Sequence, residues 1–384
     1  MRFRRHLIGI LAAAAILAPS LVSADATSAK WYDKLSVGGF AGADYQVWLN
    51  QPSAYGVQQV TNRVFDKIPN IMDYSGEMTF NYADKDSNTG AVVDLLYGGL
   101  GQVVTGGGTW PSIGQSYLSQ AFGPLTVDLG KFTLPFGYET WNPTANANFS
   151  RSLTYSLEPL FQTGAKLDYA GPAGITANLW FDNGNSMDPY NNTGNDNSKG
   201  YGVALGYAGI KNLALNAKFY LNQQGLHVPS GYFDSNDMID VNAAYTLSTL
   251  TFAAEYLYDT MVDGNPATGA TLFSPKINAV ALYATYVTPI NNLSVSGRAE
   301  QVNAPDSKGL VTHTTGGNTV NLATQNLTMD SYTGTVKYVM GPVTDILEYR
   351  ADASNGYDFA SNGTPGASKT QIDQTVTIAA TYGF

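Results

Sequence analysis

Apolar and polar residues alternate one by one through most of the chain, in segments of about 8–14 residues. From 213 to 222, for example, Leu215 and Phe219 lie on an apolar face, while Lys218 and Asn222 lie on a polar one. A tilted strand of this length is long enough to cross a bilayer. One face would contact lipid and the other water, which predicts a transmembrane β-barrel with a polar lumen.

The same pattern recurs at 239–246, 250–259 and 293–300. It breaks at Val280 and Leu282, and again at Ile346 beside Leu347. A soluble β-sandwich also alternates, so the strand pattern alone does not decide between the two architectures. The connections between the strands provide the discriminating evidence.

Short and long connections follow one another in turn. The tight turns are predicted at 123–124, 170–172, 209–211, 247–248, 289–291 and 341–342. Long loops, such as 223–235 and 303–326, are predicted between them. Short periplasmic turns and long extracellular loops are typical of bacterial barrels. We therefore predict an all-β fold, a closed antiparallel barrel of about 16 strands, with a range of 14–18.

The last predicted strand has one apolar face, formed by Val376, Ile378, Ala380, Tyr382 and Phe384. The first and last strands of a barrel must pair to remove both open edges. An aromatic-ended last strand resembles the signal that the barrel-assembly machinery of Gram-negative outer membranes reads. That resemblance implies Tyr382 and Phe384 as the signal and the machinery as a partner.

The N-terminus predicts export. It has a basic start made by Arg2, Arg4 and Arg5. An apolar run follows over 7–22, and small residues near Ala24 suit signal-peptide cleavage. We expect 1–24 to be a signal peptide and 25–384 to be one barrel domain; a membrane anchor is the alternative for the apolar run.

Composition favours a membrane barrel over a soluble domain. Charged residues make up only 13% of the chain, against about 25% in average proteins. The 25 tyrosines suit the headgroup boundary of a bilayer, and the absence of cysteine excludes disulfides and thiol chemistry. The 20 basic and 30 acidic residues give a net charge of −10, which disfavours nucleic acid as a partner.

A distinctive motif occupies 127–169. Its parts are Gly130-Lys131-Phe132, Pro135-Phe136-Gly137 with Glu139, Asn148-Phe149-Ser150-Arg151-Ser152, and Pro159 followed by Thr163-Gly164. The motif resembles the OmpL-like β-barrel porin family, and the overall plan of the chain matches that family as well. The resemblance implies an outer-membrane porin that passes small solutes, without naming one.

The connection at 134–163 is the longest in the barrel, and loops of this length are usually functional or disordered. Trp141, Phe149, Leu153 and Tyr155 make it too apolar to extend into water. We expect it to fold into the lumen as the constriction loop of the pore. The alternative is that it covers the rim or packs against a neighbouring subunit.

Charged residues are the candidates for the pore site. The expected constriction charges are Glu139, Arg151 and Glu158. The expected lumen-lining residues are Lys131, Lys166, Asp168, Lys218, Glu255, Arg298, Glu300, Lys337, Glu348, Arg350 and Asp352. Lys131 is placed inward by assuming a bulge at Gly130, which would turn Phe132 to the lipid. The alternative is that these charges only solvate the lumen or pair with one another.

The sequence therefore predicts a porin of the Gram-negative outer membrane that allows passive diffusion of small hydrophilic solutes or ions. A closed barrel acting as an adhesin or structural surface protein is the alternative. We expect no enzyme activity, no cofactor and no metal, because His227 and His313 belong to no catalytic or metal-binding motif. Solute, ion preference, conductance and oligomeric state stay open, with a homotrimer as one option.

Overall fold

The computed structural model describes residues 30–50, 70–101, 112–184, 199–227, 232–265, 270–273, 276–305, 311–315, 318–322, 327–355 and 372–384. Almost all of the regular structure in these ranges is β-strand. Short 3-10 helices occur at η1 (Trp31–Lys34), η2 (Tyr155–Leu157) and η3 (Pro172–Gly174). Within the same ranges, no helix is long and apolar enough to span a bilayer. The predicted signal peptide, 1–24, lies outside the described residues.

The strands in chain order are β1 (Leu35–Trp48), β2 (Met72–Asp84), β3 (Thr89–Gly98), β4 (Ser112–Phe122), β5 (Leu125–Thr133), β6 (Phe161–Ala170), β7 (Ile175–Asp182), β8 (Gly200–Tyr207), β9 (Leu213–His227), β10 (Tyr232–Leu247), β11 (Leu250–Asn265), β12 (Ala270–Phe273), β13 (Lys276–Val287), β14 (Leu293–Ala304), β15 (Val311–Thr315), β16 (Asn318–Leu322), β17 (Leu327–Met340), β18 (Val343–Ser354) and β19 (Ile372–Gly383).

Sixteen of these strands form one closed antiparallel barrel: β1–β11, β13, β14 and β17–β19. Each pairs with the next, and β19 pairs with β1 from Phe40↔Gly383 to Trp48↔Thr375. Strand β12 adds to the end of β11, and β15 and β16 form a separate hairpin. The predicted closed barrel and its strand number are confirmed.

The tight turns lie where the sequence predicts them, for example at 123–124 and 341–342. A further short turn, at 85–88 between β2 and β3, was not among them. The predicted long loop at 223–235 is wrong, because β9 and β10 stay paired as far as Tyr232↔His227. A hairpin extending beyond the lipid needs no apolar face, so the alternation pattern does not reveal it.

The two faces of the strands have different environments. Large apolar side chains cover one face, where Leu118, Tyr332 and Ile378 are 65%, 61% and 60% exposed. The other face is polar and buried, as at Lys218 and Asn222 of β9. The predicted sorting of side chains is confirmed for these strands.

The breaks in the alternation now have a physical cause. In β13, Ala281 is buried while Leu282 is exposed, so both faces of this strand are apolar. In β18, Ile346 is buried against Phe149 and Ala379, while Leu347 is exposed. The buried face is apolar at these places because it packs against the segment that connects β5 to β6.

Candidate functional site

Residues 134–160, called segment 134–160 below, connect β5 to β6, and every residue from 151 to 160 is buried. Phe136, Leu153 and Leu157 pack into one apolar cluster with Phe132 and with apolar residues of the strands. The cluster contains, from the strands, Trp180, Ala204, Tyr220, Met238, Leu257, Ile277, Ala279, Val302, Ala304, Leu327 and Met329. Burial of apolar area is thus one force that holds the segment in place.

Arg298 of β14 is the first polar anchor of the segment. Its Nη1 donates to Glu139 Oε1 at 2.7 Å and to the carbonyl of Ser150 at 2.6 Å. Its Nε donates to Glu300 Oε1 at 2.6 Å, and Glu300 Oε2 accepts the N–H of Leu153 at 2.5 Å. The buried guanidinium of Arg298 therefore connects two parts of the segment, one at Glu139 and one at 150–153, to the barrel wall.

Strands β17 and β18 provide the second anchor. The carboxylate of Glu348 accepts the N–H groups of Phe149 and Ser150, at 2.6 and 3.0 Å, and the hydroxyl of Thr335 at 2.7 Å. Arg350 donates to the carbonyl of Arg151 at 2.6 Å. Backbone groups of a loop that would otherwise lack partners are satisfied here by charged side chains.

Arg350 also pairs with Asp352 at 2.8 Å, in β18 itself. Lys337 of β17 donates to the carbonyl of Asn146 at 2.5 Å. The guanidinium of Arg151 donates to the carbonyls of Phe149 and Trp141, both within the segment. Arg151 thus makes these two bonds inside the segment, and its carbonyl accepts from Arg298 and Arg350 of the wall.

The third anchor involves Gly137 and Tyr138. Lys218 of β9 donates to the carbonyl of Gly137 and pairs with Asp240 of β10 at 2.7 Å. Glu255 of β11 accepts the N–H of Tyr138 at 2.6 Å. Gly137 has a positive φ of 74°, and a Cβ there would collide with the carboxyl group of Glu158. This position therefore requires glycine.

Glu158 lies beside Asp240 and Glu255, and the three carboxyl groups are buried. Burial raises the pKa of Glu158 well above its usual range, and the negative charge of Asp240 acts in the same direction while Lys218 opposes it.

A cavity of about 390 Å³ lies between the segment and strands β4–β7. The strands contribute Gln115, Tyr117, Lys166 and Asn178, among others, and the segment contributes Glu139, Thr140, Trp141 and Glu158. Lys166 pairs with Asp128 at 3.2 Å and with Asp168 at 2.9 Å. Polar groups of both signs therefore face the cavity.

Most of the predicted wall charges contact segment 134–160 or pair with one another, as the contacts of Arg298, Glu348 and Lys218 show. Two acids in these ion pairs were not among the predicted residues: Asp128 and Asp240. Both lie on the buried face of alternating strands, so the alternation pattern could have revealed them.

The orientation predicted for Phe132 is wrong. Phe132 is completely buried in the apolar cluster with segment 134–160 and does not face lipid. Lys131 is partly exposed, pairs in register with the exposed Ser116, and donates to the carbonyl of Ile113 at 2.7 Å. The prediction failed because it assumed a polar inner face at this position, whereas the inner face around Phe132 is apolar and packs against the segment.

The model of the family described as "Putative beta-barrel porin-2, OmpL-like" matches residues 34–384. The chain belongs to this family. The match spans the whole barrel, including the 127–169 motif from which the resemblance was inferred. No curated protein sequence matches the chain.

Solved outer-membrane proteins share the fold of this OmpL-like porin. OmpT of Vibrio cholerae is 12% identical, covers 91% of this chain and 97% of its own, and has a TM-score of 0.58. The anion-selective porin from Comamonas acidovorans is 11% identical, covers 91% and 99%, and has a TM-score of 0.59. OmpF of Salmonella typhi, in complex with daunomycin, is 15% identical, covers 91% and 97%, and has a TM-score of 0.53. Family and fold together point to an outer-membrane channel rather than an enzyme.

Proposed function

We propose that this OmpL-like porin forms a water-filled channel for the passive diffusion of small hydrophilic solutes and ions across the Gram-negative outer membrane. In this proposal the buried face of the strands lines the lumen, and segment 134–160 lies inside the lumen and narrows it. The exposed apolar face contacts lipid.

The observation that carries the proposal is the set of strands that the segment contacts. The segment leaves β5 and returns to the adjacent β6, yet it bonds to Lys218 of β9, Glu255 of β11, Arg298 of β14 and Glu348 of β18. These side chains lie on the face opposite the exposed apolar residues. A path through the interior of the barrel accounts for all of these contacts at once.

The cavity beside β4–β7 is the proposed permeation path. A barrel of about 16 strands encloses an aqueous channel, and a segment held against β9–β18 leaves the remaining side open. Lys166 on the wall faces the cavity opposite Glu139 of the segment. Charges of opposite sign on opposite sides create a transverse field that orients polar solutes.

Assembly as a homotrimer is part of the proposal. It is supported by the related fold of Vibrio cholerae OmpT, which has been solved in a trimer form and is 11% identical with a TM-score of 0.55. Cross-linking of the protein in lipid vesicles tests it. A ladder that ends at the trimer is expected, and a single monomer band would contradict it.

Planar-bilayer recording tests the channel itself. Purified, folded protein should produce discrete conductance steps, and a salt gradient should give a reversal potential that reports ion preference. A heat-modifiable, folded barrel that inserts into the bilayer and gives no steps would contradict the proposal. A closed barrel would then be the better description.

A further inference from the structure

Three buried carboxyl groups meet where segment 134–160 contacts β10 and β11. Glu158 is 1% exposed, Asp240 is not exposed, and Glu255 is 2% exposed. One oxygen atom from each of them lies within 4.8 Å of one from each of the others. Neighbouring carboxylates in a buried position repel one another, so this arrangement needs a compensating positive charge.

The carboxyl groups are not fully satisfied by hydrogen bonds. Asp240 Oδ1 accepts from Lys218 and Asn242, and Glu255 accepts from Tyr138 and Tyr283. Glu158 Oε1 and Asp240 Oδ2 are buried, and no donor within the described ranges reaches either atom. Two unpartnered oxygens on buried side chains in one cluster indicate an occupant that accepts their lone pairs.

We propose that Glu158, Asp240 and Glu255 bind a divalent cation, with Ca²⁺ as the ion that fits best. When ionised, the three carboxylates carry three negative charges, and Lys218 beside Asp240 supplies one positive charge. The net charge of −2 is what one divalent cation neutralises. This proposal departs from the expectation, drawn from the sequence, that the chain holds no metal.

The spacing of the oxygens suits Ca²⁺. Calcium binds carboxylate oxygens at about 2.3–2.6 Å, so two ligands on opposite sides of the ion lie roughly 5 Å apart. The separation of at most 4.8 Å among the three oxygens is compatible with a single ion between them. Magnesium requires shorter bonds and a near-ideal octahedron, for which three clustered carboxylates are less suited.

An ion has access to the site. Glu158, together with Phe136 and Gly137, lines the cavity of about 390 Å³ beside β4–β7. A hydrated cation can therefore approach Glu158 from the cavity, and water molecules there can complete its coordination. The bound ion would join Glu158, near the end of segment 134–160, to two strands of the wall.

Metal binding is measured directly, without any dependence on conductance. Folded protein in detergent is treated with EDTA, and Ca²⁺ binding is followed by calorimetry and by thermal unfolding. Tyrosine-sensitised luminescence of Tb³⁺ gives a local signal, because the hydroxyl of Tyr283 donates to Glu255 and the ring of Tyr138 lies 4.7 Å from that of Tyr283. We expect one saturable site and a higher unfolding temperature in Ca²⁺ than in EDTA.

Glu158→Gln is the decisive variant. Its amide can donate to a neighbouring carboxylate, so E158Q should be at least as stable as the wild type in EDTA. It should nevertheless lose the stabilisation by Ca²⁺ and the Tb³⁺ signal. Glu77→Gln is the matched control, since Glu77 is a buried glutamate of β2 outside the cluster, and it should keep both responses.

Two results would overturn the proposal. One is a wild-type protein whose unfolding temperature and Tb³⁺ luminescence do not respond to millimolar Ca²⁺ or Tb³⁺; the carboxyl groups would then hold protons instead. The other is an E158Q variant that keeps the full response. Either result leaves the channel proposal standing, since bilayer recording tests that separately.

Discussion

Two sides of the barrel interior use the same residue types in different ways. On the β9–β18 side, the ion-paired side chains are at most 3% exposed, as for Lys218 with Asp240 and Arg298 with Glu139. On the β4–β7 side, Lys166 and Asp168 pair with each other and stay 15% and 18% exposed. The first side anchors segment 134–160, and the second faces the cavity.

The comparison teaches that charge on an inward position does not by itself identify a pore-lining residue. A buried charge whose partner is removed stays uncompensated in a low-dielectric environment. A partly exposed charge is solvated when its partner is removed. The two sides should therefore respond very differently to matched substitutions.

The largest effect is expected for Arg298→Met. It leaves Glu139 and Glu300 buried without their cation, and loss of one partner from such a pair costs about 3–5 kcal/mol. We expect that loss in the free energy of unfolding in lipid vesicles, together with a larger conductance if the segment is released. If the Arg298→Met protein were as stable as the Lys166→Met protein, Arg298 would not be an anchor.

A smaller effect is expected for Glu348→Ala. The N–H groups of Phe149 and Ser150 lose their acceptor, and a buried unsatisfied donor costs about 1–3 kcal/mol. Amide hydrogen exchange should become faster at these two residues and stay unchanged in the β4–β5 hairpin. Unchanged exchange at Phe149 would contradict this anchor.

The apolar contact can be tested with neighbouring residues on opposite faces. Ile346→Val removes a buried methylene packed against Phe149 and should cost about 0.5–1.5 kcal/mol. Leu347→Val alters a side chain that is 52% exposed and lipid-facing, and should cost less. Urea unfolding of the two variants, measured side by side, compares their losses of unfolding free energy. A larger loss for Leu347→Val would show that Leu347, and not Ile346, lies on the buried face.

The smallest effect on stability is expected for Lys166→Met, about 1 kcal/mol, because Asp168 is partly solvated and the more buried Asp128 keeps the hydroxyl of Ser119 as a donor. Its effect on permeation should be clear, because loss of a positive charge at the cavity shifts the reversal potential towards cation preference. Asp168→Asn should shift it the other way. Identical reversal potentials for both variants and the wild type would exclude the cavity as the path.

The fold was largely predictable because a membrane barrel imposes a period-two pattern that the chain shows directly. The residues that anchor segment 134–160 were harder to predict. The alternation shows on which face of a strand Arg298 or Glu348 lies, but not which residues pack against that face. The breaks at Val280 and Ile346 contained that information. Both mark places where the inward face is apolar because Tyr138 or Phe149 packs there. The carboxylate cluster depends on contacts between distant parts of the chain, which no local pattern reveals.

Cysteine accessibility tests the central claim most directly, since the chain has no cysteine of its own. Thr140 lines the cavity, whereas Thr333 is buried against Arg298 on the anchored side. In single-channel recording, a charged, water-soluble thiol reagent should reduce the conductance of Thr140→Cys in discrete steps and leave Thr333→Cys unchanged. Modification that blocks Thr333→Cys while Thr140→Cys conducts as before would place the water path on the opposite side and contradict the account.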